Sequence, residues 1–238
     1  WYTGFGLLAI SMAFGFSGYL LPWNELAFFA TKVGTDIVGE VPLIGEPILI
    51  LLRGGEEVTG ATLSRFFGFH VAIFPGIFVI LLTLHLLMIQ RQGIAEPEDY
   101  KKLPANEKKT IPFFPNFAMR ELLIWLIVIN ILAILAVFFP WELGTKADPF
   151  ASAPVGIKPE WYFLFMFQVF KFLPGEIIFL PGEFVGILLF GIGILLWAIV
   201  PVWDKKTAKG EKNTILTYFG IFVIMFIIVF TILGFIME

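Results

Sequence analysis

Phe66-Phe67-Gly68-Phe69-His70-Val71-Ala72-Ile73-Phe74-Pro75-Gly76-Ile77-Phe78-Val79-Ile80-Leu81-Leu82-Thr83-Leu84-His85-Leu86-Leu87-Met88-Ile89-Gln90 holds both histidines of the chain and no Asp, Glu, Lys or Arg. An uncharged apolar run of this length can cross a bilayer as a helix. Fifteen residues of α-helix rise roughly 22 Å and turn about 60° past four full turns. His70 and His85 therefore leave one broad face of a single helix, one near each membrane surface. Neutral imidazole is a haem-iron ligand, and a bilayer is a costly place for a polar ring without a partner. The spacing alone leaves two readings open: metal ligands, or unrelated histidines hydrogen-bonded inside a bundle.

Four more stretches have the same character: Gly4–Leu21, Leu122–Phe139, Phe184–Trp203 and Thr214–Met237. The chain is 58% hydrophobic and 15% charged, with mean hydropathy +0.90. The expectation is an all-α integral membrane protein, a bundle of five transmembrane helices. A β-barrel would instead show short alternating segments. A net charge of −3 and the lack of a basic, aromatic-interleaved patch predict no nucleic-acid partner. Cysteine is absent, which excludes disulfides, thiolate-held iron–sulfur or zinc, and C-x-x-C-H haem attachment in this chain. Any haem would be non-covalent or attached through another chain. The chain opens at Trp1 with no charged n-region before its first span. A signal peptide is not expected, and the sequence reads as a fragment of something longer.

The connections divide by charge. The first (residues 22–65) is long and contains Val41-Pro42-Leu43-Ile44-Gly45-Glu46-Pro47 and a short apolar run ending at Arg53-Gly54-Gly55, which reads as interfacial surface helices. The third (140–183) holds Ala147-Asp148-Pro149-Phe150 and Pro159-Glu160-Trp161-Tyr162. The second (91–121) and fourth (204–213) carry Arg91, Lys101, Lys102, Lys108, Lys109, Arg120, Lys205, Lys206, Lys209 and Lys212, ten of the sixteen basic residues. The positive-inside rule places these two in the cytoplasm and the first and third outside. The N-terminus is then cytoplasmic and the C-terminus outside. Pro174-Gly175-Glu176 recurs as Pro181-Gly182-Glu183, which reads as turn chemistry.

Gly4 and Gly18 match the histidines. Fourteen residues rise about 21 Å and end about 40° short of four turns, so both glycines share one face at nearly the histidines' separation. A glycine lets a flat macrocycle or a neighbouring backbone approach closely. Ordinary helix–helix contact explains them equally well, and Gly6 and Gly15 support that alternative.

Gly18-Tyr19-Leu20-Leu21-Pro22-Trp23, Thr62-Leu63-Ser64-Arg65-Phe66-Phe67 running into His70, Asp148-Pro149-Phe150 and Pro159-Glu160-Trp161-Tyr162 resemble the cytochrome b of quinol:cytochrome c and plastoquinol:plastocyanin oxidoreductases. The resemblance covers essentially the whole chain in order, matching the family's helices C to G. The fifteen-residue histidine spacing, Leu87-Met88-Ile89 with Gln92-Gly93-Ile94, the lack of an eighth helix and the segment after Ala147 resemble the b6 and subunit IV branch. The resemblance divides the chain into a b6-like part (1–92), a cytoplasmic linker (93–121) and a subunit IV-like part (122–238).

The resemblance implies an oxidoreductase subunit with two haem b groups and a quinol site at the outer face. His70 would ligate the low-potential haem and His85 the high-potential one, with Gly4 and Gly18 giving clearance. The family takes the other axial histidines from helix B, which this sequence lacks, so a second chain would supply helices A and B if they are separate. Gln90 stands where the b6 branch often has a basic residue near its cytoplasmic-side haem. Glu160 would accept a quinol proton and Tyr162 would position the ring or the proton exit. Physics alone allows a plainer role for Glu160, an acid at a helix start beside interfacial aromatics. Arg65 would pair with a haem propionate or snorkel to the headgroups. The implied partners are a Rieske-type iron–sulfur protein, a c-type cytochrome or equivalent acceptor, and a second copy in a dimeric complex. The implied location is the bacterial cytoplasmic membrane, with respiratory electron transport and proton translocation as the outcome. The rival from the residues alone is a haem-free transporter or quinone-binding scaffold with structural histidines.

Overall fold

The computed structural model describes residues 1–94, 96–154 and 156–237. The chain forms two compact units, Trp1–His85 with Thr145–Glu238, and Leu86–Gly144. The larger begins with α1 (Tyr2–Tyr19), α2 (Glu25–Gly39), α3 (Gly45–Arg53) and α4 (Gly60–Gly68). A π turn (Phe69–Ile73) joins α4 to α5 (Phe74–Gln92), making Gly60–Gln92 one helix of 33 residues that ends in the smaller unit. The smaller unit then holds α6 (Glu98–Lys101), a second π turn (Phe113–Phe117) and α7 (Ala118–Phe138). The larger resumes with α8 (Trp161–Phe172), β1 (Glu176–Ile177), β2 (Leu180–Pro181), α9 (Gly182–Ala198), α10 (Val200–Trp203), α11 (Lys205–Ala208) and α12 (Thr214–Ile236).

Apart from one two-stranded hairpin, the described regular structure is helical. Among the described residues three helices are long and apolar enough to cross a membrane: Gly60–Gln92, Phe113–Phe138 and Thr214–Ile236. Their apolar windows are almost wholly uncovered by protein, which suits a surface solvated by lipid. Two expected spans are less regular. Helix α1 is 18 residues long and diluted by glycine and serine, and α9 stops at Ala198. Pro201 has no N–H to give the Trp197 carbonyl and its ring crowds that oxygen, so the expected Phe184–Trp203 span breaks into α9 and α10.

The histidine helix starts at Gly60, ahead of the expected Phe66, because Thr59 and Thr62 cap it reciprocally. Thr59 Oγ1 accepts the Ala61 N–H at 3.2 Å and Thr62 Oγ1 accepts the Thr59 N–H at 2.9 Å. The Thr62 hydroxyl also donates to the Arg53 carbonyl at 2.8 Å, tying α4 to the end of α3. That end needs Gly54, whose φ of +83° lies in the left-handed region.

Arg53 fastens α3 to α2. Its side chain is 3% exposed, yet every part of the guanidinium is used: Nε donates to Thr35 Oγ1 (2.7 Å), Nη1 to the Glu56 carbonyl (2.7 Å), Nη2 to the Lys32 carbonyl (2.8 Å) and Asp36 Oδ1 (2.6 Å). A buried charge is tolerable only when its donors are spent in this way. The first connection thus folds as two helices held by one clasp, with Ala27–Thr31 and Thr35 of α2 buried. Its start is stitched to the third connection: Glu25 N–H donates to the Thr145 carbonyl (2.8 Å) and Ala147 N–H to the Trp23 carbonyl (3.0 Å). Beside the stitch, Phe28, Phe29, Val58 and Ala147 form a small core with Trp23 and Ile157 against it.

Helix α8 lies along α12. Leu164, 1% exposed, packs where Gly234 has no side chain; a Cβ there would come within 2.6 Å of the Leu164 Cγ. Lys158 Nζ donates to the carbonyls of Phe235 (3.3 Å) and Met237 (3.0 Å), a cation at a helix C-terminus. The Pro-Gly-Glu echo flanks the hairpin: Glu176 pairs with Pro181, Ile177 with Leu180, and Gly182 N–H donates to the Gly175 carbonyl at 2.9 Å.

Candidate functional site

The two histidines meet α1 at two levels, and the contacts repeat. His70 Nδ1 lies 3.0 Å from Ser17 Oγ, and His85 Nδ1 lies 2.9 Å from Thr3 Oγ1. A Cβ on Gly18 would stand 2.7 Å from His70 Cε1, and one on Gly4 would stand 3.4 Å from His85 Cε1. Each imidazole therefore rests on a hydroxyl–glycine dipeptide, Thr3-Gly4 or Ser17-Gly18, and the two dipeptides are fourteen residues apart. The glycines are in the sequence reading; the hydroxyls are not, although the repeat of the pair was there to be seen.

Ser17 Oγ lies within hydrogen-bond distance of both the Phe14 carbonyl (3.2 Å) and His70 Nδ1 (3.0 Å). With Nδ1 engaged by the hydroxyl, Nε2 is the ring nitrogen left over, and no hydrogen-bond partner for it is found among the described residues. A hydrogen bond on one ring nitrogen that frees the other is the usual setting of a metal-binding histidine. Among the described residues no three His, Cys, Asp or Glu side chains converge as a metal site. Each imidazole has one ring nitrogen engaged by a hydroxyl, which leaves the other to bind a group brought to it.

The second constellation is a cavity of about 270 Å³ in the larger unit. It lies between the end of α1, the α2 face carrying Ala30, Val33 and Gly34, and the start of α8. Glu160 and Tyr162 both line it, with Tyr19, Phe16 and Phe163 among the aromatic walls. Glu160 is the residue before α8 and is half-buried, but its side chain caps no helix N–H. Any helix-start role is therefore electrostatic, through its charge near the α8 N-terminus, and not a hydrogen-bonded cap. Tyr162 lies over Gly15, where a Cβ would fall 2.5 Å from its hydroxyl. Burial pushes the Tyr162 phenol upward, with the Glu160 charge and Tyr19 adding to the effect, so the hydroxyl stays protonated and able to donate.

Six consecutive residues of α1 serve both places. Phe14 meets the His70 ring edge-on at 5.3 Å, and Ser17 and Gly18 complete that contact. Gly15 faces Tyr162, while Phe16 and Tyr19 line the cavity. Residues 14, 17 and 18 share one side of a helix; 15, 16 and 19 share the other. Arg65 lies apart: its Nη1 donates to the Ile50 (3.0 Å) and Leu51 (2.5 Å) carbonyls, capping the last turn of α3.

Residues 1–146 match the family described as cytochrome b(N-terminal)/b6/petB, and residues 146–238 match cytochrome b(C-terminal)/b6/petD. The chain is similar to a cytochrome bc complex cytochrome b subunit of Chlorobaculum thiosulfatiphilum, 46% identical over 235 residues, covering 97% of this chain and 53% of that protein. It spans about half the length of that relative. Among solved structures it is similar to a hyperthermophilic respiratory Complex III, with a TM-score of 0.75 and 29% identity, covering 98% of this chain and 62% of the other.

Proposed function

The chain belongs to the cytochrome b family, and on that premise we propose that it carries electrons across a membrane within a bc/b6f-type quinol-oxidising complex. The single observation that carries this reading is the twofold repeat on α1, where two hydroxyl–glycine pairs hold two imidazoles at separate levels of one helix pair. His70 and His85 would each hold a haem b through an imidazole nitrogen, with further ligation supplied from outside these residues. A bound haem would supply one-electron transfer.

The rest is done by the chain's own side chains. The apolar cavity would admit a quinol ring from the lipid. Glu160 would take a hydroxyl proton at its carboxylate, and the protonated Tyr162 would donate a hydrogen bond to hold the ring or pass the proton outward. One electron would go to a Rieske-type iron–sulfur partner, and on to a c-type cytochrome or equivalent acceptor. The other would cross the membrane to a second quinone site, with proton translocation as the outcome.

In this reading α1 and α9 with α10 also span the bilayer, giving five transmembrane helices, and the assembly is dimeric. The b6-like and subunit IV-like parts meet through a cytoplasmic linker near residues 93–121. The Lys-rich connections face the cytoplasm of a bacterial inner membrane, with the N-terminus inside and the C-terminus outside. Protease added to sealed right-side-out vesicles should leave residues 91–121 and 204–213 intact; cleavage there from outside would reverse the orientation. The direct test of function is a dithionite-reduced minus oxidised spectrum of the isolated complex. A b-type α-band is expected. A flat difference spectrum would leave a haem-free scaffold.

A further inference from the structure

The repeat on α1 and the histidines opposite it do not have equal spacing. Thr3 to Ser17 and Gly4 to Gly18 are fourteen residues apart; His70 to His85 is fifteen. In unbroken α-helices the first interval ends about 40° short of four turns and the second about 60° past, a mismatch of about 100°. Yet both rings make the same pair of contacts. The π turn at Phe69–Ile73 removes the discrepancy. There the Phe74 N–H donates to the Phe69 carbonyl, five residues back, so the turn takes up one residue more than an α-turn. Fifteen residues through it advance as fourteen would without it.

We propose that this π turn is a register device: it absorbs the extra residue beside His70, so that His85 arrives in phase with Thr3 and Gly4. Pro75 explains why the extra residue sits there. It has no N–H for the Val71 carbonyl, and its ring would crowd that oxygen in a regular α-helix. Widening the helix just before it gives up no hydrogen bond that could have formed, and within a membrane such local adjustment resettles the backbone. Phe74 and Phe78 depend on the same phase, since both pack edge-on against Phe14.

The inference uses the proposed haem sites for one readout and is independent of them for the other. Deleting Ala72, inside the π turn, should restore a plain α-helix and leave Phe74 to His85 in phase. Deleting Leu82 gives the same fourteen-residue spacing but turns His85 about 100° away from Thr3. In the isolated complex, the haem-to-chain ratio should stay at the wild-type value without Ala72 and fall to about half without Leu82. The second readout needs no haem. The chain has no cysteine, so a Thr3→Cys/His85→Cys pair can be bridged by a short bifunctional maleimide. Bridging should persist in the Ala72 deletion and be lost in the Leu82 deletion. Equal bridging in the two backgrounds, or haem lost equally from both, overturns the register device. If wild-type complex contains no b haem while bridging follows the expected pattern, the functional reading fails and the register device stands.

Discussion

Glu160→Gln is expected to slow quinol-driven reduction of the haems by about 10²–10⁴-fold, the usual cost of removing a positioned general base. Glutamine keeps the size and hydrogen bonding of the side chain but cannot take up a proton at physiological pH. The structure makes the substitution clean. Glu160 caps no N–H of α8, so losing its charge should leave the helix start, the haem spectra and assembly of the complex unchanged. Glu160→Asp should keep more activity than Glu160→Gln, because the acid survives on a shorter stem. A bypass through water or Tyr162 would reduce the loss. The measurement is pre-steady-state haem reduction by quinol with the cytoplasmic-side route blocked. Rates unchanged in Glu160→Gln across roughly pH 6 to 8 would remove this carboxylate from proton transfer.

His70→Leu and His85→Leu are each expected to eliminate one b haem and spare the other, halving the haem-to-chain ratio. Leucine fills much of the space but offers no donor atom, and no other histidine is available in the chain. The two variants should remove different components of a redox titration, since the rings sit on different dipeptides of α1. Loss of a ligand could also block assembly, so Ser17→Ala provides a milder probe. It removes the hydroxyl beside His70 Nδ1, together with its bond to the Phe14 carbonyl, and such changes behind a ligand typically weaken binding by about 10–100-fold. Both haems retained with unaltered spectra in His70→Leu would refute the assignment.

Much of this was legible in the sequence because bilayers impose simple rules. Uncharged runs of membrane length coincide with the three long apolar helices, and the Pro-rich interruptions coincide with the shorter helices of the first connection. Gly4 and Gly18 lie on the face of α1 that meets the histidines, and Pro159, Glu160 and Tyr162 line the cavity. What stayed hidden depends on long-range packing. Nothing local says that Arg53 will be buried, because its partners Thr35, Asp36 and the Lys32 carbonyl come from the preceding helix. The commitment of Arg65 to the carbonyls of α3 is of the same kind. The π turn is subtler: Pro75 and the unequal spacings both signal it, but uniform α-helical geometry between the histidines conceals it.

The stretch Phe14–Tyr19 has a consequence for how this protein can vary over time. Its residues alternate between the His70 contact and the cavity solely through helical phase, so single replacements there can alter one site and spare the other. A gained or lost residue acts on both at once: in an unbroken helix it rotates every later position by about 100° relative to both sites. The segment can therefore change its letters one site at a time, whereas a change of length must be absorbed by a local widening such as the one at Phe69–Ile73.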